Sequence, residues 1–477
     1  MKKILFLAQQ GVCLAIILTV LSAYSLSAQT RTLRIVCYNI EDDIDGNTTP
    51  LPGLIAPTSN TSDVTAGGVL EGIGEEVING DPAQPIDILA LEETTSNPTT
   101  VQPIVNGLNS FYSVYNYLYP GPAGYALSTY QATQSGGNTG GNGPSALVYN
   151  TNTLQLLASV GVGTPTGGVP SGNGMYRQVV RYEFAPAGIK ATTNNEFYVY
   201  VSHYKASSGT TDDEDRFGEA SIIRNDEAAN CPSNARVLYV GDYNPDDNSG
   251  EPGYQTICSN SAPSGIHQGQ GVDPLNIQWS ATSSASRSIN WSSSTTSPQI
   301  LSMLSEEDYE LRYRDDLQVM TSNVYYQVSG GLCYVPGTYH SFANNATTVW
   351  GTSVNLSGNT ALNDLDSTKT TATGLTAAAL LLDLTDASDH LPIVADYTIP
   401  IPAPAVTEAS AAGANLSLNI ANCMTGGVYT VLTKTNLRLP GWTPVATNMS
   451  TGSNFVLVVT NAIDNGTTPR FYILKTH

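Results

Sequence analysis

Asn39, Glu93, His203, Asp242 with Asn244, and Asp389 with His390 each stand at or beside the end of a short apolar run. These residue types are the parts needed to hold a divalent cation, orient a phosphate and move a proton. Carboxylates suit a hard cation that keeps several waters of its own. Carboxamides donate to an anionic oxygen without adding charge, and imidazoles titrating near neutrality can give or take a proton. The set therefore reads as the site of a metal-dependent phosphoesterase.

Residues 87–93, Asp-Ile-Leu-Ala-Leu-Glu-Glu, form an apolar run ending in paired carboxylates. The C-terminal end of a strand is where an α/β fold builds its site. Alternation along that strand puts Glu92 and Glu93 on opposite faces, so one of the two is expected to point at a cation. Residues 241–244, Gly-Asp-Tyr-Asn, follow the run 237–240 and set Asp242 and Asn244 on one face of an extended segment. Asp242 there can orient an attacking water, and the Asn244 amide can donate to a phosphoryl oxygen. Taken alone, the same tetrapeptide is ordinary turn chemistry. Ser-Asp-His-Leu-Pro at 388–392 places a histidine beside a carboxylate directly before the run 393–397. His203 ends a further apolar run, with Lys205 on its face by the period of two.

Elements that would carry these residues follow from hydrophobic periodicity. Short apolar runs at 33–39, 86–91, 145–149, 179–184, 197–202, 237–240, 317–320 and 393–397 read as strands, several buried on both faces. Residues 72–79 read as part of a helix. So do 212–230, with Asp212, Asp213 and Glu214 in the first turn and Phe217, Ala220, Ile223 and Ala228 at near-helical spacing. The irregular alternation predicts layered α/β architecture with mixed sheets. Stretches 120–143, 161–174, 280–297 and 344–376 read as surface insertions of low apolar content. The tyrosine-dense stretch 111–119 reads as a strand and turn; an exposed membrane-touching loop is its rival reading. Pro-Ile-Pro-Ala-Pro-Ala at 400–405 marks a stiff linker. Residues 406–477 read as a small β-sandwich module without catalytic residues.

Met1-Lys-Lys-Ile, the apolar stretch that follows and Ser-Leu-Ser-Ala at 25–28 have the pattern of a secretory leader, with cleavage expected near Ala28. Export to the periplasm or beyond the cell follows, with no transmembrane segment after the leader is gone. Five cysteines remain after Cys13 is lost. Among them Cys231 and Cys258 are candidates for a bridge in an oxidising compartment. The absence of any Cys-x-x-Cys spacing argues against zinc or dithiol chemistry. Against 40 acidic residues stand 19 basic ones, a net charge of −21. Such a surface excludes non-specific nucleic-acid binding by a basic track, so a nucleic-acid substrate would need a bound cation or a local basic rim.

The ordered set of motifs, closing on Ser-Asp-His-Leu-Pro, resembles the endonuclease/exonuclease/phosphatase superfamily, the deoxyribonuclease-I-like fold, over about residues 33–398. The resemblance implies a four-layer α/β sandwich of two mixed sheets flanked by helices, within a catalytic domain of residues 31–399. It also implies Mg²⁺ or Mn²⁺ as cofactor, with Glu93 as principal ligand and Asp389 assisting. His203, Asp242, Asn244, Asp316 and His390 take the catalytic positions, and Asp316 supports His390, with Asp315 the fallback by a one-residue slip. Asn39 helps position the phosphate and Arg177 lies near the substrate. The implied partner is a phosphodiester such as DNA or, as the nearest alternative, a phospholipid head group. From another class, the chain would be an inactive surface binding protein. Apart from the resemblance, the small C-terminal β module would attach the chain to a surface or polymer, or serve only in export. Two departures from the family pattern stand out. No acidic residue falls between Thr94 and Tyr182 to support His203, and the usual Gln-Glu pair is here Glu92-Glu93.

Overall fold

Why these runs become strands is visible in their burial. In the computed structural model, Leu33, Ile35, Val36, Ile88, Leu89, Ala90 and Leu91 are all fully buried. Strands covered on both faces need apolar side chains at odd and even positions alike. The structure describes residues 29–41, 52–119, 123–135, 143–167, 175–206, 209–245, 250–275, 314–345, 353–423, 427–436, 438, 441–462 and 470–476, together with the backbone of 4–8 and 15–19. The stretch 280–297 lies outside them.

Two mixed sheets form the centre. The first contains β3 (Gln29–Asn39), β4 (Ile88–Glu92), β5 (Tyr125–Leu127), β6 (Ala146–Asn150), β13 (Cys333–Tyr334), β14 (His340–Ser341) and β15 (Ile393–Ile401), with β3 and β4 parallel in the middle. The second runs β11 (Gly271–Val272), β12 (Asp316–Thr321), β10 (Val237–Asp242), β9 (Phe197–His203), β8 (Val179–Pro186), β7 (Leu154–Val162), with β9 and β10 parallel. They pack face to face. Buried Gln318 joins them, donating from Nε2 to Ile35 O at 3.0 Å and Ile393 O at 2.7 Å while its Oε1 accepts from Tyr397. Helices Val69–Ile73, Gln102–Tyr115 and Ala377–Ala387 pack with the first sheet, and helix Thr210–Asn230 with the second. The result is the expected layered α/β sandwich.

Several local readings are corrected. The helix expected at 72–79 is Val69–Ile73, started where the Glu71 carboxylate accepts from Gly68 N and ended at Gly74. The stretch 111–119 is neither strand nor loop: helix Gln102–Tyr115 runs into a 3₁₀ turn, because Ile104, Leu108, Phe111 and Tyr112 recur at helical spacing on a buried face. In helix Thr210–Asn230 Phe217 is exposed, and Asp215, Arg216, Glu219, Arg224 and Glu227 are buried instead. Arg216 pairs with Glu251 at 2.9 Å, and Arg224 donates to the carbonyls of Thr256, Ile257 and Ser259. Segment 344–376 buries Val354, Leu362 and Leu375 and contains helix Ser367–Thr373. Cys231 and Cys258 carry free thiols and are not bridged.

β15 continues through Ile401, so residues 402–404 lie between it and β16 (Ala405–Ala412). Beyond, β16, β17 (Asn415–Ala421) and β20 (Asn454–Val459) form one antiparallel sheet. A second contains β18 (Val428–Lys434), β19 (Thr443–Met449) and β21 (Arg470–Thr476). Leu416, Leu418, Tyr429, Val431, Leu457 and Tyr472 share their core. The backbone of β1 (Ile4–Ala8) pairs with β21 and with β2 (Ala15–Thr19), so removing a leader to residue 28 would make β21 an edge strand. No helix among the described residues is long and apolar enough to cross a membrane.

Buried charges pin the first sheet. Arg34 forks onto Asp396, its β15 register partner, at 3.0 and 3.1 Å and donates to Ile73 O and Glu76 O. Replacing Arg34 with Met leaves Asp396 buried and unpaired, and is expected to lower stability by roughly 3–5 kcal/mol in denaturant unfolding. His340 Nε2 meets Glu76 Oε1 at 2.9 Å. Burial lowers the imidazole pKa, yet Glu76 and the Thr338 carbonyl raise it further, to about 9. Its contribution is then fully present below the unfolded histidine value of about 6.5 and lost as pH rises through 9. The His340→Asn variant should show a smaller loss of thermal stability between pH 6.5 and 9 than the parent protein.

Candidate active site

Parallel register sets the site residues side by side before any side chain is considered. On β3 and β4 Asn39 is the partner of Glu92; on β9 and β10 His203 is the partner of Asp242. β12 is antiparallel to β10, with Asp316 opposite Asp242, and Ile393 of β15 pairs with Cys37 of β3, so His390 arrives at the same end. Gly241 makes the close approach possible. Its φ is 133°, and a Cβ there would fall 1.8 Å from Ser202 O and 3.0 Å from Glu92 Oε1. Glu93 and Asn244 hold φ of 56° and 45°. Left-handed backbone at such residues costs on the order of 1–3 kcal/mol, strain of a kind that gathers at functional sites.

The side chains converge. His390 Nδ1 and Asp316 Oδ2 are 2.7 Å apart, which decides for Asp316 over Asp315 as the supporting carboxylate. Asn39 Nδ2 donates to Asp242 Oδ2 at 3.2 Å and lies 3.4 Å from His390 Nε2. His203 Nε2 is 3.3 Å from Asp242 Oδ2 and 3.7 Å from Glu93 Oε1. Asp389 Oδ1 stands 3.6 Å from His390 Nε2. Asn244 is held by its backbone N on Asp242 Oδ1, while its Nδ2 donates to Tyr204 O at 3.3 Å, leaving one amide proton for other use. Arg177 is buried and also donates to Tyr204 O, with Glu93 as a charged neighbour. Lys205 turns away, its Nζ on Ala206 O and 3.4 Å from Asp212.

The two histidines differ. Burial drives His203 well below 6.5, and Arg177 and His390 add to it. Its Nδ1 is buried with no hydrogen-bond partner, as the lack of an acidic residue in 95–181 anticipated. Burial also opposes charge on His390, but Asp316, Asp389 and Asp242 together hold it well above 6.5. Burial, then Asp316, push Asp242 well above the usual carboxylate range, and burial, then Asp316 and Asp242, do so for Glu92.

Fit to a cation is tested by the carboxylate oxygens that find no donor. Both oxygens of Glu92, Glu93 Oε2 and Asp389 Oδ1 lack hydrogen-bond partners. A buried carboxylate oxygen without a donor is costly, and the chemistry of this set is that of a hard divalent cation. Asp242, Asp316 and His390 also offer ligand atoms within 4.8 Å of one another. Within that group the Asp316 contact occupies His390 Nδ1, so Nε2 remains as the imidazole's open position. Glu92 is the residue that alternation removed from the site. Nothing in the sequence announces the left-handed Glu93, whose Oε1 comes within 3.7 Å of His203 Nε2.

No protein-family model and no curated protein matches the sequence. Among solved structures, the chain is similar to the human Nocturnin catalytic domain with bound sulfate: 15% identity, 78% of this chain and 97% of that one, TM-score 0.37. An endonuclease/exonuclease/phosphatase from Beutenbergia cavernae aligns at 13% identity over 94% and 100%, TM-score 0.38. D. rerio TDP2 complexed with single-strand DNA product aligns at 13% over 77% and 98%, TM-score 0.37.

NMR titration of metal-free protein checks the asymmetry of the imidazoles. His390 should remain protonated well above pH 6.5 and His203 neutral well below it, and Asp316→Asn should lower the His390 midpoint while leaving His203 neutral. Similar midpoints for both rings near 6.5 would contradict the geometry.

Proposed function

We propose that the chain is an exported, divalent-cation-dependent phosphodiesterase of the endonuclease/exonuclease/phosphatase superfamily, hydrolysing P–O bonds by direct attack of water. The observation that carries this reading is the meeting of the Asp316–His390 pair, the Asn39–Asp242–His203 contacts and the carboxylate oxygens of Glu93 and Asp389 that lack hydrogen-bond donors at one end of two sheets. A Mg²⁺ or Mn²⁺ ion held by Glu93 and Asp389 would stabilise charge on the phosphoryl and leaving-group oxygens. Asp242, fixed by Asn39 and by the backbone of Asn244, orients the attacking water and draws on its proton. His390, charged and steered by Asp316, presents Nε2 to the phosphate and gives a proton to the leaving oxygen. Neutral His203 acts as a hydrogen-bond donor to the reacting group rather than as a second charge. Arg177, Asn39 and the free amide proton of Asn244 complete the anion's surroundings.

A nuclease-like activity on DNA or another extracellular phosphodiester is the favoured substrate class. The phospholipid alternative drew on residues 111–119 as a membrane-touching loop; that stretch is a helix end and 3₁₀ turn with Phe111 and Tyr112 buried and Val114 and Tyr117 exposed. The acidic balance, −21 overall, favours short or single-stranded substrates gripped at the site over long duplexes held by a basic track. Residues 406–477 would attach the chain to a surface or polymer, or serve only in export.

On bis-p-nitrophenyl phosphate with Mg²⁺ or Mn²⁺, His390→Ala and Asp242→Ala should each lower turnover by about 10² to 10⁴-fold with unchanged circular dichroism. Parent protein inactive across several divalent metals would instead favour a binding protein. Release of phosphocholine from sphingomyelin without release of acid-soluble nucleotides from DNA would reject the nuclease-like substrate.

A further inference from the structure

Neighbours on an extended strand face apart, so of two adjacent glutamates at a strand tip only one should reach a common point. At the end of β4 that rule is broken by the left-handed Glu93, whose Oε1 comes within 3.7 Å of His203 Nε2. Glu92 keeps strand geometry. As the register partner of Asn39 it projects on the same face, and Asn39 reaches across to Asp242 Oδ2 at 3.2 Å. Glu92 Oε1 also lies 3.0 Å from where a Cβ of residue 241 would stand, in space that only a glycine leaves open. Asp316 and Asp242 are its strongest charged neighbours.

Glu92 is fully buried, and neither of its oxygens has a hydrogen-bond partner. It stands beside the group of Asp242, Asp316 and His390, whose ligand atoms lie within 4.8 Å of one another. A side chain placed there only for shape would be served as well by glutamine, which fills the same volume without a formal charge. A buried carboxyl with no hydrogen-bond partner beside a cluster already acidic is costly unless a cation meets it.

We propose that Glu92 is a second carboxylate ligand of the site's divalent cation, binding directly or through one water. The inference rests on the cation-dependent reading given above and deepens it. With Glu92 and Glu93 acting as a pair, the last residue of β4 and the residue after it would supply two of the cation's anchors. The left-handed backbone of Glu93 is the device that makes this possible.

The test is binding of Mn²⁺ to the full chain without substrate, followed by calorimetry and by loss of the free-ion electron paramagnetic resonance signal. Glu92→Gln should weaken Mn²⁺ affinity by about 10- to 100-fold, with Glu93→Gln weakening it at least as much. Circular dichroism should be unchanged in both. Equal affinity of parent and Glu92→Gln overturns the proposal while leaving the phosphoesterase reading standing. No Mn²⁺ binding by the parent overturns both. Should Glu92→Gln fail to fold, anomalous scattering from Mn²⁺-soaked crystals of the parent decides. A peak within about 4 to 5 Å of a Glu92 oxygen, the reach of one bridging water, supports it, and a more distant peak overturns it.

Discussion

Negative charge buried at the strand tips is the constraint around which this molecule is built. Glu92, Glu93, Asp242, Asp315 and Asp316 are all buried within or beside one site, and Asp389 stands at its rim. Facing them are Arg177 and the His390 imidazolium. Removing an ionised carboxylate from water is expensive unless it is paired or bound to metal. Two residues held in left-handed backbone add further cost. A fold that keeps such a cluster must overcome it with the remainder of its core, and it gains a site whose field is strongest for small, hard cations.

That role falls to the scaffold, and its own buried polar groups show how the tips are held in place. Gln318 ties β12 to β3 and β15 across the sandwich, fixing the depth at which Asp316 meets His390. Arg314, just before β12, forks onto Asp273 at 2.7 and 2.8 Å and donates to Tyr339, so the entry to Asp316 is anchored from both sheets. Arg34 fixes β3 against β15 in the same way. These are buried networks in a low-dielectric interior, where hydrogen bonds are strong and movement is costly. The site inherits that rigidity.

What the sequence revealed divides along physical lines. Strands buried on both faces announce themselves as continuous apolar runs, and the runs 33–39, 237–240 and 317–320 lie within β3, β10 and β12 with ends differing by a few residues. Asn39, His203, Asp242 and His390 were legible because each follows or precedes such a run. Apolar periodicity failed where the buried face is charged, as in helix Thr210–Asn230, whose Arg216 and Arg224 are fully buried. It was also misread at 111–119, where the β-propensity of tyrosine outweighed the spacing of Ile104, Leu108 and Phe111. Edge strand β7, partly exposed along its length, gave no continuous run to find. The approach of Glu93 to His203 turns on one backbone dihedral, which residue type does not encode for a glutamate.

The missing acid beside His203 is the departure with the widest consequence. In a site where both imidazoles had carboxylate supports, either could carry charge and the two proton transfers could be shared. Here burial and Arg177 hold His203 neutral, and its Nδ1 has no partner to fix a tautomer. Asp316 and Asp389 concentrate positive charge on His390. Under the proposed mechanism, proton donation would then have one source and water activation another, Asp242, with Asn39 bonded to that carboxylate and 3.4 Å from His390 Nε2. Separating the two roles onto differently charged groups would keep acid and base distinct, with Asn39 Nδ2 hydrogen-bonded to Asp242 Oδ2 and the direct His390–Asp242 contact stretched to 4.0 Å.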